Sequence, residues 1–271
     1  MDIKSHQIPE AVVEVLNRHV VILIEVLGRD LTGVYLHGSA AIGGFSFQQS
    51  DIDYVALIAD PLRPSERQRL AQGFLGGYGD GVPAKGVEMS IVLERFAGPG
   101  FRYPTPYEFH LGTEEQIRQH ASPHKEEMVD PDLAAHFTII KQRGICIYGK
   151  PVDEVFDDVP REFYLDAIIA DAEENFRNIH SKTDDSPCRV PMYAVLNFCR
   201  VLAYIDDGLI ASKLEGAEWG LSQIPSEYQA VIFAAKSEYA NSRESHLVSG
   251  TLLKQFASYA RGRYMEATET C

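Results

Sequence analysis

The sequence lacks the features that would place it in a membrane or outside the cell. No run of about 18 apolar residues without charge occurs, so we expect no membrane-spanning helix. The first residues, MDIKSHQIPE, lack a basic stretch followed by an apolar one, so we expect no signal peptide. The cysteines form no CxxC pair and no metal-ligand spacing, and they are Cys146, Cys188, Cys199 and Cys271. They are typical of thiols in a reducing compartment, so we expect a cytoplasmic protein.

Basic residues are also scarce. The chain has 25 lysines and arginines against 39 aspartates and glutamates, which gives a formal net charge of −14. An acidic surface repels a phosphate backbone and argues against a nucleic-acid partner, whereas it suits a cationic small molecule. The alternative, which charge alone does not separate, is that the acidity only confers solubility.

The pattern of apolar residues changes along the chain. In the first half, strand-like and helix-like segments alternate, and a loop rich in Gly, Pro and aromatic residues follows them at 97–113. The predicted strands are 32–36, 51–59 and 87–93, and the predicted helices are 8–28 and 64–76. Beyond residue 130 the predicted segments are all helical: 131–143, 160–180, 190–206, 224–239 and 245–265. We therefore predict an α+β fold, with a mixed sheet flanked by helices in residues 1–157 and a helical bundle in 158–271.

Three carboxylates and a Gly-Ser turn form the most informative combination. Asp51 and Asp53 lie two residues apart on a predicted strand, so their side chains point to the same face. Gly38-Ser39 ends the preceding strand, and Glu88 lies on the next one. A calcium loop is excluded because its Gly and distal Glu are missing. Each feature is common alone, but together they indicate a site for nucleotidyl transfer.

The chemistry of that transfer suggests a role for each residue. Asp51 and Asp53 would hold Mg²⁺, and two ions about 3.5–4 Å apart would bridge the entering and leaving oxygens. The Ser39 hydroxyl would contact the triphosphate, with help from Ser50. Glu88 could ligate a metal or accept the proton of the attacking hydroxyl, and we favour the second role.

Several motifs resemble the nucleotidyltransferase superfamily of the DNA polymerase β type, and more narrowly the aminoglycoside O-adenylyltransferases that modify streptomycin and spectinomycin. In the first half they are GVYLHGSAAIGG, SDIDYVALI, VEMSIV and FRYPTPYEFHLG. In the second half they are LNFCRVLAYIDDGLIASK and the tyrosine of AAKSEYANS. The resemblance thus covers most of the chain, with a nucleotidyltransferase domain followed by a helical domain that contributes to ATP and acceptor binding.

The resemblance implies which residues act. Asp51, Asp53 and Glu88 would carry the metal and base roles, and Gly38, Ser39 and Ser50 would contact the nucleotide. From the helical domain, the nucleotide-binding residues would be Arg200, Lys213 and Tyr239. From the residues alone, the alternatives are an arginine paired with a carboxylate of the bundle, a surface lysine and a tyrosine at the edge of the core.

The implied activity is Mg²⁺-dependent transfer of AMP from ATP to a hydroxyl of a cationic antibiotic, by a monomeric enzyme. The chain departs from the family on the acceptor side, where Thr113-Glu114 replace a Glu-Trp pair and residues 189–192 replace an acidic run. Carboxylates that could bind the ammonium groups of such an acceptor are Glu114, Glu115, Asp184, Asp185, Asp206 and Asp207. Two alternatives stay open: the same chemistry on another small molecule or a protein, and a nucleotide-binding module without catalysis.

Overall fold

The computed structural model divides into two compact units, Met1–Phe163 and Tyr164–Cys271. It describes residues 8–76, 81–121, 127–241 and 245–269, so Cys271 lies outside the described residues. In the described part of the chain, no helix is both long enough and apolar enough to cross a bilayer.

The first unit is built on a mixed sheet of five strands. The strands of this unit are β1 (Leu31–His37), β2 (Ile52–Ile58), β3 (Val87–Leu93), β4 (Thr105–Tyr107), β5 (Phe109–Leu111), β6 (Met128–Asp130) and β7 (Ile145–Gly149). Five of them form the order β5–β3–β2–β1–β7, in which β2 and β3 run parallel and the other neighbours antiparallel. Strands β4 and β6 pair separately. The parallel pair matters for the site, because it aligns the beginnings of β2 and β3.

Helices pack against this sheet and complete its core. They are α1 (Glu10–Leu27), α2 (Gly38–Ile42), α3 (Pro64–Gly76), α4 (Glu114–His120), α5 (Leu133–Arg143) and α6 (Val152–Val155). Helix α1 buries Val12, Leu16, Val20 and Leu23, whose spacing of three or four residues places them on one face. They join the apolar residues of β1, β2 and β3 in one cluster of buried side chains.

The second unit is a bundle of helices with a short two-stranded sheet. Its elements are α7 (Arg161–Lys182), β8 (Pro187–Arg189), α8 (Met192–Asp207), α9 (Lys213–Gln223), α10 (Gln229–Ala240), β9 (Leu247–Ser249) and α11 (Gly250–Glu269). Helix α8 is the most buried of them and lies against α9, α10 and α11. This unit has its own apolar core. The predicted fold class, a mixed sheet flanked by helices followed by a helical bundle, is confirmed.

Some predicted elements need correction. Residues 97–113 are not only a covering loop, because they contain β4 and β5, and β5 is an edge strand of the main sheet. Strands β6 to β9 and helices α4, α6 and α9 were not predicted, and β9 lies within the predicted helix 245–265, so the segments beyond residue 130 are not all helical. A three-residue strand such as β5 is defined by its pairing with β3 rather than by its own composition, and no local pattern indicates it.

Candidate active site

Three carboxylates converge at the beginning of the parallel strand pair. Asp53 lies opposite Glu88 in the register of β2 and β3, so both side chains leave the sheet on one face. Asp51 precedes β2 by one residue. Each of the three side chains offers an oxygen, and these oxygens all lie within 4.8 Å of one another. The structure thus brings Asp51, Asp53 and Glu88 together, and all three are half-buried.

The donor set fits a hard divalent cation. Three carboxylates at this separation repel one another, and a bound cation offsets that repulsion. Oxygen ligands are also those that Mg²⁺ prefers. Within the described residues, this is the one group of three or more His, Cys, Asp or Glu side chains with such geometry.

Gly38 makes room for one of these carboxylates. Its φ of +61° lies in the left-handed region, which a residue with a side chain rarely adopts. A Cβ atom at Gly38 would lie only 1.9 Å from Oδ2 of Asp53. The backbone therefore passes directly beside the Asp53 carboxylate, and only glycine allows this approach.

The two predicted serines differ in their surroundings. The Ser39 hydroxyl is buried and finds no hydrogen-bond partner among the described residues. The Ser50 hydroxyl accepts a hydrogen bond of 3.0 Å from the Ser46 N–H and so closes the turn before β2. A buried hydroxyl without a partner is costly, and an oxygen of a bound ligand would satisfy it. Ser39 is accordingly the better placed of the two to contact a ligand.

Three histidines lie in the same part of the first unit as the carboxylates, and sequence reasoning missed them. His37 lies opposite Asp53 in the sheet, and its ring centroid is 4.6 Å from that of His136 on α5. Ser90 Oγ and His110 Nδ1 are 3.1 Å apart. Burial, and then the neighbouring His136, holds the pKa of His37 well below its usual value. These histidines come from β1, β5 and α5, so only the register and the packing of α5 reveal them.

Burial also lowers the pKa of His110, while the negative charges of Glu88 and Asp130 act in the opposite direction. A lowered pKa keeps the imidazole neutral at neutral pH. His110 therefore adds no positive charge beside the Glu88 carboxylate at neutral pH.

In the second unit, the structure brings Lys213 and Tyr239 together. Lys213 is the first residue of α9, whose start is capped by reciprocal hydrogen bonds between Ser212 and Glu215. The Lys213 Nζ lies 5.7 Å from the ring centroid of Tyr239. Arg200 on α8 donates a hydrogen bond of 2.8 Å from Nε to the carbonyl oxygen of Ala211.

Two further residues, Tyr193 and Asp171, are connected to Lys213 and were not predicted from the sequence. Tyr193 also lies near Lys213, with 5.0 Å between the Lys213 Nζ and the ring centroid of Tyr193. Asp171 on α7 accepts hydrogen bonds from Tyr193 and Asn197. The sequence does contain a pattern that indicates this face. Tyr193, Asn197 and Arg200 are four and three residues apart, and this spacing places their polar side chains on one face of α8.

The carboxylates proposed for the acceptor have local partners. Three of them form salt bridges: Glu114 with Arg118, Asp185 with Lys254, and Asp206 with Arg263. The other three accept hydrogen bonds: Glu115 from Gln119, Asp184 from the Ser186 N–H, and Asp207 from the Trp219 indole. These contacts account for the side chains without a ligand. Their role in acceptor binding stays a prediction.

The fold and the carboxylate cluster define a class of protein, the nucleotidyltransferases. A solved structure shares the fold: the spectinomycin adenyltransferase from Enterococcus faecialis, crystallised with ATP and spectinomycin. Its TM-score is 0.73 at 23% sequence identity, and the match covers 93% of this chain and 99% of that one.

Sequence comparisons show which members of this class the chain is similar to. Residues 154–263 match the family described as aminoglycoside adenylyltransferase, C-terminal domain. An aminoglycoside (3'') (9) adenylyltransferase of Escherichia coli is 29% identical over 95% of this chain and 94% of its own length. A spectinomycin 9-adenylyltransferase of Staphylococcus aureus is 25% identical, and the match covers 86% of this chain and 85% of that protein. The predicted relationship to the aminoglycoside adenylyltransferases, and with it the prediction of an enzyme of the nucleotidyltransferase class, is confirmed.

Proposed function

We propose that this protein transfers AMP from ATP to a hydroxyl group of an aminoglycoside or aminocyclitol antibiotic, with Mg²⁺ as cofactor. The observation that carries the proposal is the convergence of Asp51, Asp53 and Glu88 within 4.8 Å of one another. The relatives named above support the adenylyl donor and the class of acceptor. The net charge of −14 supports a cationic acceptor over a nucleic acid.

The first unit supplies the groups for the chemistry. Asp51 and Asp53 would hold Mg²⁺, which supplies charge neutralisation of the triphosphate when bound. Gly38 keeps the backbone close to Asp53, and Ser39 offers its buried hydroxyl to a phosphate oxygen. We retain Ser50 as a nucleotide contact, because its hydroxyl accepts from Ser46 and still has its own proton to donate.

We assign Glu88 the role of general base. It would accept the proton of the acceptor hydroxyl as that oxygen attacks the α-phosphorus and pyrophosphate leaves. Its position opposite Asp53, beside the carboxylates that we assign to the metal, supports this role. The nearby imidazole of His110 adds no fixed positive charge, because burial lowers its pKa.

In the second unit, Arg200, Lys213 and Tyr239 are assigned to the nucleotide. Lys213 and Tyr239 form one cluster, and Arg200 lies on the neighbouring helix. Division of the chain into a catalytic domain, 1–157, and a helical domain, 158–271, that contributes to ATP and acceptor binding is part of this proposal. So are a monomeric state and a cytoplasmic location.

The test is pyrophosphate release from ATP and Mg²⁺ in the presence of a panel of antibiotics, followed by mass spectrometry of the drug. We expect release with spectinomycin or streptomycin and a drug that is heavier by one adenylyl group, which is AMP less one water. Release with an acceptor of another chemical class would replace the acceptor but keep the reaction. Stable ATP binding with no release for any acceptor would instead identify a nucleotide-binding module.

The role of Glu88 has its own test. Glu88→Gln should leave ATP binding largely intact and reduce kcat about 10²-fold or more, because the amide accepts no proton. The matched control is Glu162→Gln, which changes an exposed glutamate on α7 and should leave kcat unchanged. A loss of Mg²⁺-dependent ATP binding in Glu88→Gln would show instead that Glu88 is a metal ligand. Asp53→Asn should abolish turnover in either case.

A further inference from the structure

We propose that Tyr193 is a positioning residue that holds the Lys213 ammonium group in place for the triphosphate. The inference rests on the proposed function, because it needs the assignment of Lys213 to the nucleotide. Neither the motifs of the sequence nor the comparisons assign a role to Tyr193. The evidence is a set of contacts within the second unit.

The first part of the evidence is that the ammonium group of Lys213 lies near two aromatic rings. Lys213 Nζ lies 5.0 Å from the ring centroid of Tyr193 and 5.7 Å from that of Tyr239. A cation within about 6 Å of a ring face is attracted by the ring quadrupole. Two rings together restrict a side chain that has four rotatable bonds and would otherwise lose much rotamer entropy on binding a ligand.

The second part is the anchoring of Tyr193 itself. Its side chain is 47% exposed, and an exposed tyrosine alone would not restrain a lysine. Its hydroxyl, however, donates a hydrogen bond of 3.2 Å to Oδ2 of Asp171. The same oxygen accepts a hydrogen bond of 2.9 Å from Asn197 Nδ2. The other carboxylate oxygen of Asp171, Oδ1, accepts a hydrogen bond of 3.1 Å from Asn175 Nδ2. The carboxylate thus joins α7 to α8 and fixes the direction in which the Tyr193 ring points.

The third part is the rigid relation between the two helices involved. Gly216, one turn after Lys213 on α9, lies so close to α8 that a Cβ there would be 2.7 Å from Cγ of Arg200. Tyr193 and Arg200 belong to the same face of α8. The close approach of α8 and α9 therefore fixes the position of the Tyr193 ring relative to the Lys213 ammonium group. As a result, Lys213 needs little reordering when a nucleotide binds.

The test is binding of a non-hydrolysable ATP analogue with Mg²⁺ to the full chain, followed by calorimetry. Tyr193→Leu removes the ring and should weaken binding about fivefold, whereas Tyr193→Phe keeps the ring, loses its hydrogen bond to Asp171 and should weaken binding by an intermediate amount. The matched control is Phe233→Leu, which removes another exposed ring, on α10, and should change nothing. Thermal unfolding of each variant shows that the fold is retained.

A double-mutant cycle separates positioning from a general structural role. If Tyr193 acts through Lys213, then Tyr193→Leu should have no further effect on binding once Lys213→Met is present. Equal losses in both backgrounds would overturn the inference, and so would tight binding by Tyr193→Leu while Lys213→Met binds weakly. If Lys213→Met itself binds normally, the assignment of Lys213 and this inference fail together, whereas pyrophosphate release still tests the proposed reaction.

Discussion

At the scale of single residues, the candidate site depends on the absence of a side chain at Gly38 as much as on the three carboxylates. Gly38 has a positive φ and lies close to Asp53, and these two features have separate consequences. The positive φ affects stability, because a residue with a Cβ is strained there. The contact affects function, because any Cβ at this position displaces the Asp53 carboxylate.

Gly38→Ala should therefore abolish adenylyl transfer, since its Cβ would occupy the position of the Asp53 carboxylate. Gly43→Ala is the matched control, because Gly43 also has a positive φ, +93°, but nothing lies within 4 Å of a Cβ there. Both variants should lose about 1–2 kcal/mol of stability from backbone strain, and only Gly38→Ala should lose activity. Equal activity in the two variants would contradict the position of Asp53.

His19 allows a prediction about pH at the same scale. Its Nδ1 lies 2.8 Å from the Tyr54 hydroxyl inside the first unit. Burial, and then the positive charge of Arg18, lowers the pKa of His19 from 6.5 to about 4. Between these two values the unfolded chain binds a proton that the native protein does not, so stability falls as the pH decreases. Above pH 6.5 this contribution is constant.

His19→Gln should remove that dependence. Between pH 7.5 and pH 4.5, the loss of unfolding free energy should be about 2–3 kcal/mol smaller in His19→Gln than in the unmodified protein. The measurement is urea denaturation at both pH values. His180→Gln, which changes an exposed histidine on α7, should behave like the unmodified protein. An unchanged pH dependence in His19→Gln would show that His19 titrates normally in the native state.

At the scale of elements, the position of each functional side chain follows from how two elements meet. The parallel register of β2 and β3 pairs Asp53 with Glu88, and a shift by one residue would turn Glu88 to the other face. In the second unit, the contact of α8 with α9 brings Arg200 close to the turn that begins with Lys213. A small residue, Gly216, permits that contact.

Gly216→Ala should push α8 and α9 apart. Its Cβ would meet Cγ of Arg200 at 2.7 Å and the Arg200 backbone nitrogen at 3.2 Å, so the core is overpacked. We expect a loss of about 1–3 kcal/mol in unfolding free energy, with weaker ATP binding. Gly262→Ala on α11 has no atom within 4 Å of the new Cβ and should stabilise by up to about 1 kcal/mol. Chemical denaturation compares the two, and a neutral Gly216→Ala would argue against the close contact.

At the scale of the whole molecule, the excess of negative charge should steer a cationic acceptor. Its attraction acts over the Debye length, which falls as salt is added. The KM for a polycationic acceptor should therefore rise severalfold between about 20 mM and about 200 mM salt, whereas the KM for ATP should not rise. Steady-state kinetics at both salt concentrations tests this. An acceptor KM independent of salt would mean that the acidity serves solubility alone.

Sequence patterns predicted the elements that carry a strong local signal. Helix Pro64–Gly76 and strand Val87–Leu93 have the predicted bounds, and α1 differs by two residues at its start and one at its end. Most of the elements that were missed, such as β5 and β7, are short. A short element is stabilised by a neighbouring element that pairs with its backbone or covers its apolar side chains. The local sequence does not show which element that neighbour is.

The sequence by itself determined the fold class, the two strands that begin near Asp51, Asp53 and Glu88, and the resemblance to the aminoglycoside adenylyltransferases. These follow from residue types, from their spacings and from the order of the elements along the chain. The tertiary structure alone decided that the three carboxylates meet, that His37 lies opposite Asp53 and packs against His136, and that Tyr193 lies near Lys213. These contacts join residues far apart in the chain, so they arise only from strand register and helix packing.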